Sequence, residues 1–105
     1  MDISRFSIHL TALYSPQKPT LRSLDTLKIS IVIPTLNETL ILEDNLRAIS
    51  SLNPHEIIVV DGGSADSTVS VARRMATLVI TSKSGRARQM NTGAKKATGD
   101  LLLFM

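Results

Sequence analysis

Ile57-Ile-Val-Val-Asp-Gly-Gly-Ser-Ala-Asp66 decides the fold. Apolar, β-branched residues run into an acid, a glycine pair and a hydroxyl. A short apolar run closed by glycine and serine reads as a strand buried on both faces. Asp61 then stands at the carboxyl end of that strand. In open α/β sheets ligands bind along this edge, because helix N-termini point at it and its loops carry no packing duty.

The flanking sequence supplies partners for that strand. Upstream, Ile29-Ser-Ile-Val-Ile33 is a second buried strand, which Pro34 is expected to end because proline donates nothing to a ladder. Thr35 to Glu38 forms a loop and a helix start; Thr35 with Glu38 fits a capping box, with Asn37 as a rival cap. Leu42, Leu46 and Ile49 put an apolar stripe on the first helix, and Asn53-Pro54 breaks it. Glu56 to Val60 is the next strand, and Asp61 to Ser64 is a turn. A second helix runs from Asp66 or Ser67 to Met75, with Val69, Ala72 and Met75 on its inner face. Leu78 to Thr81 is a short strand. Arg86 to Ala97 is a third helix, with Met90, Ala94 and Ala97 inward and Gly99 as its terminating glycine. Leu101 to Met105 is a fourth apolar strand. Strands alternating with helices imply a parallel sheet with right-handed crossovers, an α/β fold.

Residues 1–28 differ from the rest. They are rich in Ser and Thr, carry Pro16 and Pro19, and contain more Arg and Lys than Asp. Polar residues interrupt every apolar run, so no signal-peptide core is evident. They read as a disordered leader, with a short helix conceivable at Ser4 to Tyr14; residues 29–105 are the folded domain.

Bulk properties narrow the function classes. The 105 residues allow one small domain. With 3% aromatic residues, no Trp and one Tyr, the composition argues mildly against a stacking platform for single-stranded nucleic acid. A net charge of +3 is too small to imply nucleic acid. The absence of cysteine removes disulfides and thiol chemistry, and it fits a reducing, cytoplasmic setting. No apolar run is long enough to span a membrane.

The chemistry sits in the loops. Pro34-Thr-Leu-Asn-Glu38 has no glycine fingerprint for a dinucleotide and no P-loop lysine, so nicotinamide and Walker-type sites are disfavoured. It offers a hydroxyl, an amide and a carboxylate, which can bind a base or sugar or simply cap a helix. Asp61 can cap a helix, ligate a metal or accept an N–H; a nucleobase imide is a good partner for it. Gly62 and Gly63 allow close approach or positive φ. Ser64 and Asp66 most simply cap the second helix. Lys83, Arg86, Arg88, Lys95 and Lys96 fall in one stretch without an acid. Arginines at a helix start oppose its dipole by about 0.3–1 kcal/mol. Arg86 and Arg88 therefore suggest a facing anion, with a diphosphate the natural candidate and Gln89 and Asn91 as added amide donors.

Ile29 to Glu38, Glu56 to Thr68 and Gly85-Arg-Ala-Arg-Gln-Met-Asn-Thr-Gly-Ala94 with Ala97-Thr-Gly-Asp100 together resemble a family 2 glycosyltransferase of the GT-A fold, in that family's order and spacing. The resemblance implies a three-layer, Rossmann-like parallel sheet that forms the donor-binding half for a nucleoside diphosphate sugar. Pro34, Thr35, Asn37 and Glu38 match the first nucleotide loop. Asp61 matches the acid that contacts the base, with Gly63 in the same loop. Arg86, Arg88 and Asn91 match the segment lining nucleotide and diphosphate. The family also implies a divalent metal, Mg or Mn, held by an Asp-x-Asp motif that follows the strand matching Leu101 to Met105. The sequence stops before that motif, and Asp100 precedes the strand. The expectation is a donor-binding half without metal ligands or general base, inactive alone. The alternatives are a module that docks on a separately encoded C-terminal half, or a non-functional remnant.

Overall fold

The computed structural model describes residues 9–12 and 27–105. Its elements are β1 (His9–Ala12), β2 (Ile29–Thr35), α1 (Thr39–Ser50), β3 (Glu56–Asp61), α2 (Thr68–Met75), β4 (Leu78–Thr81), α3 (Arg86–Lys96) and β5 (Leu101–Phe104). The sheet order is β1-β5-β2-β3-β4. β5, β2, β3 and β4 are parallel, as expected. β1 adds an antiparallel edge, His9 opposite Phe104 and Ala12 opposite Leu101. Within the span Ser4 to Tyr14, where a helix was conceivable, residues 9–12 are thus extended; residues 1–8 and 13–26 of the leader lie outside the described residues.

Strand burial explains why the sheet was readable. All of β3 is buried, and Ile31, Val32, Ile58, Val59 and Val60 are essentially inaccessible. Alternate side chains feed two cores. Ile31, Ile33, Ile57 and Val59 meet Leu42, Leu46 and Ile49 of α1 and Val71 and Ala72 of α2. Val32, Ile58, Val60 and Leu102 meet Ala94 of α3 and Ala97 just beyond it. This is the expected three-layer α/β arrangement, with α1 and α2 on one face and α3 on the other.

The inner faces of two helices agree with expectation at Ala72, Met75, Ala94 and Ala97, which pack on the cores, but their most buried residues include others. In α2, Thr68, Val71 and Ala72 are buried, while Val69 and Met75 are half-buried. In α3 the buried residues are Gln89 and Gly93, with Met90 and Ala94 half-buried. Gly93 lets α3 lie against the sheet, since a Cβ there would come within 2.3 Å of Val32 Cγ1.

Pro34 does not end β2; it is in register with Val60, and the strand continues to Thr35. Its tolerance follows from the pleat. Met105 N–H donates to the Val32 carbonyl and Gly62 N–H to the Thr35 carbonyl. Residues 32 and 34 therefore direct their backbone groups toward β5, whose pairing with β2 stops at Val32. The missing proline N–H falls where no acceptor waits.

At the opposite sheet end, Ser30 and Glu56 interrupt otherwise apolar strands. Ser30 Oγ donates to Glu56 Oε2 at 2.5 Å, and the same oxygen accepts Thr98 N–H at 2.6 Å and Thr98 Oγ1 at 2.9 Å. Gly99 N–H donates to Ser30 Oγ. Burial raises the Glu56 carboxyl, but the Ser30 and Thr98 donors outweigh it and leave its pKa below the ordinary value. Gly99 does not terminate α3 with a left-handed turn. α3 ends at Lys96, and Gly99 instead fits where a Cβ would lie 2.5 Å from the Lys28 carbonyl. Asp100 accepts Lys28 N–H here, at the end of the sheet opposite the carboxyl edge.

Candidate functional site

The carboxyl edge is built from the loops after β2, β3 and β4. α1 leaves β2 toward β3, whereas β5 lies on the other side of β2. The edge above β2 and β5 is therefore a topological switch point, where open α/β sheets hold ligands. A cleft of about 590 Å³ opens there, lined by Ile33, Pro34, Glu38, Ile41, Arg86 and Met105 among others.

One wall is the β2 loop bonded to the β3 loop. Asp61 is 1% exposed and its carboxylate accepts four hydrogen bonds: Thr35 Oγ1 at 2.9 Å and Ser64 Oγ at 2.5 Å on Oδ1, Gly63 N–H at 3.0 Å and Ser64 N–H at 2.7 Å on Oδ2. Four acceptor sites are what an ionised carboxylate offers. Burial raises its pKa, yet the Ser64, Thr35 and Gly63 donors prevail and hold it below the ordinary carboxylate value. Gly63, at φ +102°, supplies the turn that aims these amides.

The same wall corrects the capping expectations. Thr35 is the last residue of β2 and bonds Asp61 rather than capping α1. Asn37 sits at φ +51°; its N–H donates to Ser64 Oγ and its side-chain carbonyl accepts Ala65 N–H. Ser64 thus bridges Asp61 and Asn37 and does not cap α2. The cap of α1 comes from the next loop: Glu38 N–H donates to Thr68 Oγ1 at 2.8 Å and Thr39 N–H to Asp66 Oδ2 at 3.4 Å. Asp66 also accepts the Thr68 amide and hydroxyl, so it serves α2 as expected and α1 besides. Those donors, the Thr68 hydroxyl foremost, lower its pKa to about 2. Glu38 is different. Burial, with the Asp61 and Asp66 charges, pushes its carboxyl up against the opposing Leu36 amide and Arg86 guanidinium.

The other wall is α3. Arg86 lies at its first turn on the sheet-facing side and reaches the cleft. Arg88 and Asn91 do not line that cleft. They line a second depression of about 600 Å³ with Ser84, Arg86, Thr92 and Lys95. Among the described residues both ion pairs belong to Arg47, so Arg86 and Arg88 have no carboxylate partner. Gln89, expected as a ligand donor, is 4% exposed and fully engaged inside. Its Nε2 donates to the carbonyls of Thr35 at 3.0 Å and Val60 at 2.9 Å, and its Oε1 accepts Gly85 N–H at 3.1 Å.

The edge thus brings together Pro34, Thr35, Asn37, Glu38, Asp61, Gly63 and Arg86. The sequence model of glycosyl transferase family 2 matches residues 30–105.

The chain belongs to glycosyl transferase family 2.

Among curated family members it is 31% identical over 88 residues to glycosyltransferase AglE of Haloferax volcanii, covering 73% of this chain and 29% of that protein. It is 38% identical over 85 residues to a PGL/p-HBAD biosynthesis glycosyltransferase of Mycobacterium tuberculosis, covering 72% of this chain and 33% of the relative. The chain therefore spans about a third of the length of these relatives. Glucosyl-3-phosphoglycerate synthase of M. tuberculosis, crystallised with Mn2+, uridine diphosphate and glucosyl-3-phosphoglycerate, superposes with a TM-score of 0.69 at 25% identity, over 92% of this chain and 40% of the synthase. Mannosyl-3-phosphoglycerate synthase of Rubrobacter xylanophilus gives a TM-score of 0.68 at 25% identity, over 77% of this chain and 31% of that one. The GT-A expectation for the fold is met.

The metal does not fit the residues at hand. Among the described residues no group of three or more His, Asp or Glu could hold a metal ion. Asp61 has its lone pairs filled and Asp100 lies at the far sheet end. No helix among the described residues is long and apolar enough to cross a membrane.

Proposed function

We propose that the cleft above β2 and β5 binds a nucleoside diphosphate sugar as the donor for glycosyl transfer to an acceptor. The observation that carries this is Arg86: a guanidinium at the cleft, on the start of α3, that makes no ion pair among the described residues and whose charged neighbour there is Glu38, a carboxyl with a raised pKa. A diphosphate supplies the missing charge, and Arg forks match its oxygens. Pro34 and Glu38 line the same opening; Thr35, Asn37 and Gly63 shape the loop rim. The nucleobase packs toward that rim, whose shape Asp61 holds through its four hydrogen bonds. Arg88 and Asn91 act at the margin, through the outer depression.

The synthase that superposes on this chain was crystallised with uridine diphosphate and Mn2+, which supports the donor class. The metal is proposed for full-length family members and not for the residues described here. The chain alone binds donor without turnover, since the general base that transfer requires is not among the candidate residues. Calorimetric titration of the 105-residue chain with uridine and guanosine diphosphates tests this. Saturable binding that Arg86→Ala weakens is the expected result. Sugar transfer by the purified chain would overturn the claim of inactivity, and absence of binding would overturn the donor site.

A second reading is a docking module for a separately encoded C-terminal half. Leu40 is 96% and Ile41 55% exposed, beside a cleft floored by Ile33, Leu42 and Met105. Leu40→Lys would abolish such docking while leaving nucleotide affinity unchanged.

A further inference from the structure

We propose that Gln89 is a positioning residue that sets Arg86 against the carboxyl edge by tying three chain segments together. Its side chain sits at the end of β2, the end of β3 and the start of α3 at once: Nε2 on the Thr35 and Val60 carbonyls, Oε1 on the Gly85 amide. Gly85 is the residue before α3, at φ +139°, and Arg86 follows it directly. Gln89 therefore closes the helix start onto itself, as a reach-back cap does, and anchors that start to the sheet. Its neighbours leave room for nothing else: a Cβ on Gly62 would lie 2.8 Å from Gln89 Oε1. Buried amides with every partner in place fix geometry more than they add stability. Only an amide donates to the strand carbonyls and accepts from Gly85 with one planar group. A glutamate would face the Thr35 and Val60 carbonyls with like partial charge, and methionine would keep the volume without the bonds.

The functional half of this inference rests on the donor-binding reading; the geometric half does not. The experiment therefore has two readouts on the full chain. Side-chain amide exchange by 15N NMR reports the clamp itself. Slow exchange of the Gln89 amide, with Gln89→Met shifting the Gly62, Gly85 and Arg86 resonances, is expected. Exchange as fast as that of an exposed glutamine overturns the clamp. Calorimetry then compares uridine with uridine diphosphate. Gln89→Met is expected to weaken uridine diphosphate about tenfold, uridine less than about twofold, and to add little in an Arg86→Ala background. Equal losses for both ligands, or none, overturn the positioning role. If the unmodified chain binds neither ligand, the donor reading fails by itself, and the exchange data alone decide for or against the clamp.

Discussion

The two walls of the cleft are built on opposite principles. On the β2–β3 wall nearly every polar group is spent internally: Thr35, Asn37, Ser64, Asp66 and Thr68 bond one another or Asp61. On the α3 wall Gln89 is spent, but Arg86, Arg88 and Asn91 are exposed, and neither arginine makes an ion pair among the described residues. The first wall is a template, and in the proposed donor site the second is the one that meets ligand charge. A loop saturated with its own bonds holds shape without a ligand. Cations left at a helix start, against the dipole, are relieved when an anion arrives.

Breaking the template should cost most. Asp61→Asn turns an acceptor into a donor facing the Gly63 and Ser64 amides, and about 3 kcal/mol of stability should go, measured by urea unfolding. Gly93→Ala should cost about 2 kcal/mol by the same measurement, because its methyl meets Val32 before α3 can seat. On the other wall the sign of the comparison reverses. Arg86→Ala should leave stability within about 0.5 kcal/mol but lower uridine diphosphate affinity about tenfold by calorimetry. Acid should act on the template wall and on the buried Glu56 at the opposite sheet end, and not on the arginines. Asp61 and Asp66 titrate lower in the fold than in the unfolded chain, so both stabilise above the ordinary Asp value of 3.8. That contribution is lost as pH falls through their folded values, about 2 for Asp66. A thermal midpoint that drops across this window, and drops less in Asp66→Asn, is the expected profile. Glu38 has the opposite sign: its raised pKa favours the fold at low pH and that contribution fades as pH rises through the folded value. The smallest effect is expected for Arg88→Ala, under about twofold on the same affinity; a loss as large as that of Arg86→Ala would merge the two depressions into one site.

The sequence was most legible where a single element carries its own signal. β2 and β3, buried on both faces, and the less buried β4 and β5 all read as apolar runs, and Leu42, Leu46 and Ile49 announced the inner side of α1. Asp61 was legible as an edge residue. What was hidden is non-local. Thr35 and Asp61 are 26 residues apart, so a local capping box looked sufficient for Thr35 until its true partner was in place. Gln89 reads as an ordinary helix-surface amide; a Gly just before a helix, with Gln four residues on, was the available signal for a reach-back bond. Ser30 and Glu56 could have been paired in advance, since both stand at the same end of otherwise apolar strands. β1 could not, because its partner β5 is chosen by sheet topology and not by its own pattern.

The topology also sets a timing. β2 is the first strand of the parallel sheet to leave the ribosome, yet Ile29 pairs with Leu101 and Lys28 with Asp100, 72 residues on. Its bonds to β3 form over a much shorter loop. Pairings so distant in sequence are slow to close, and synthesis proceeds at about 5–20 residues per second. For several seconds, on that scale, β2 is half-paired, with the backbone of Ser30 and Val32 open on one side. The nascent chain must hold its central strand in that state until Leu101 to Phe104 arrive.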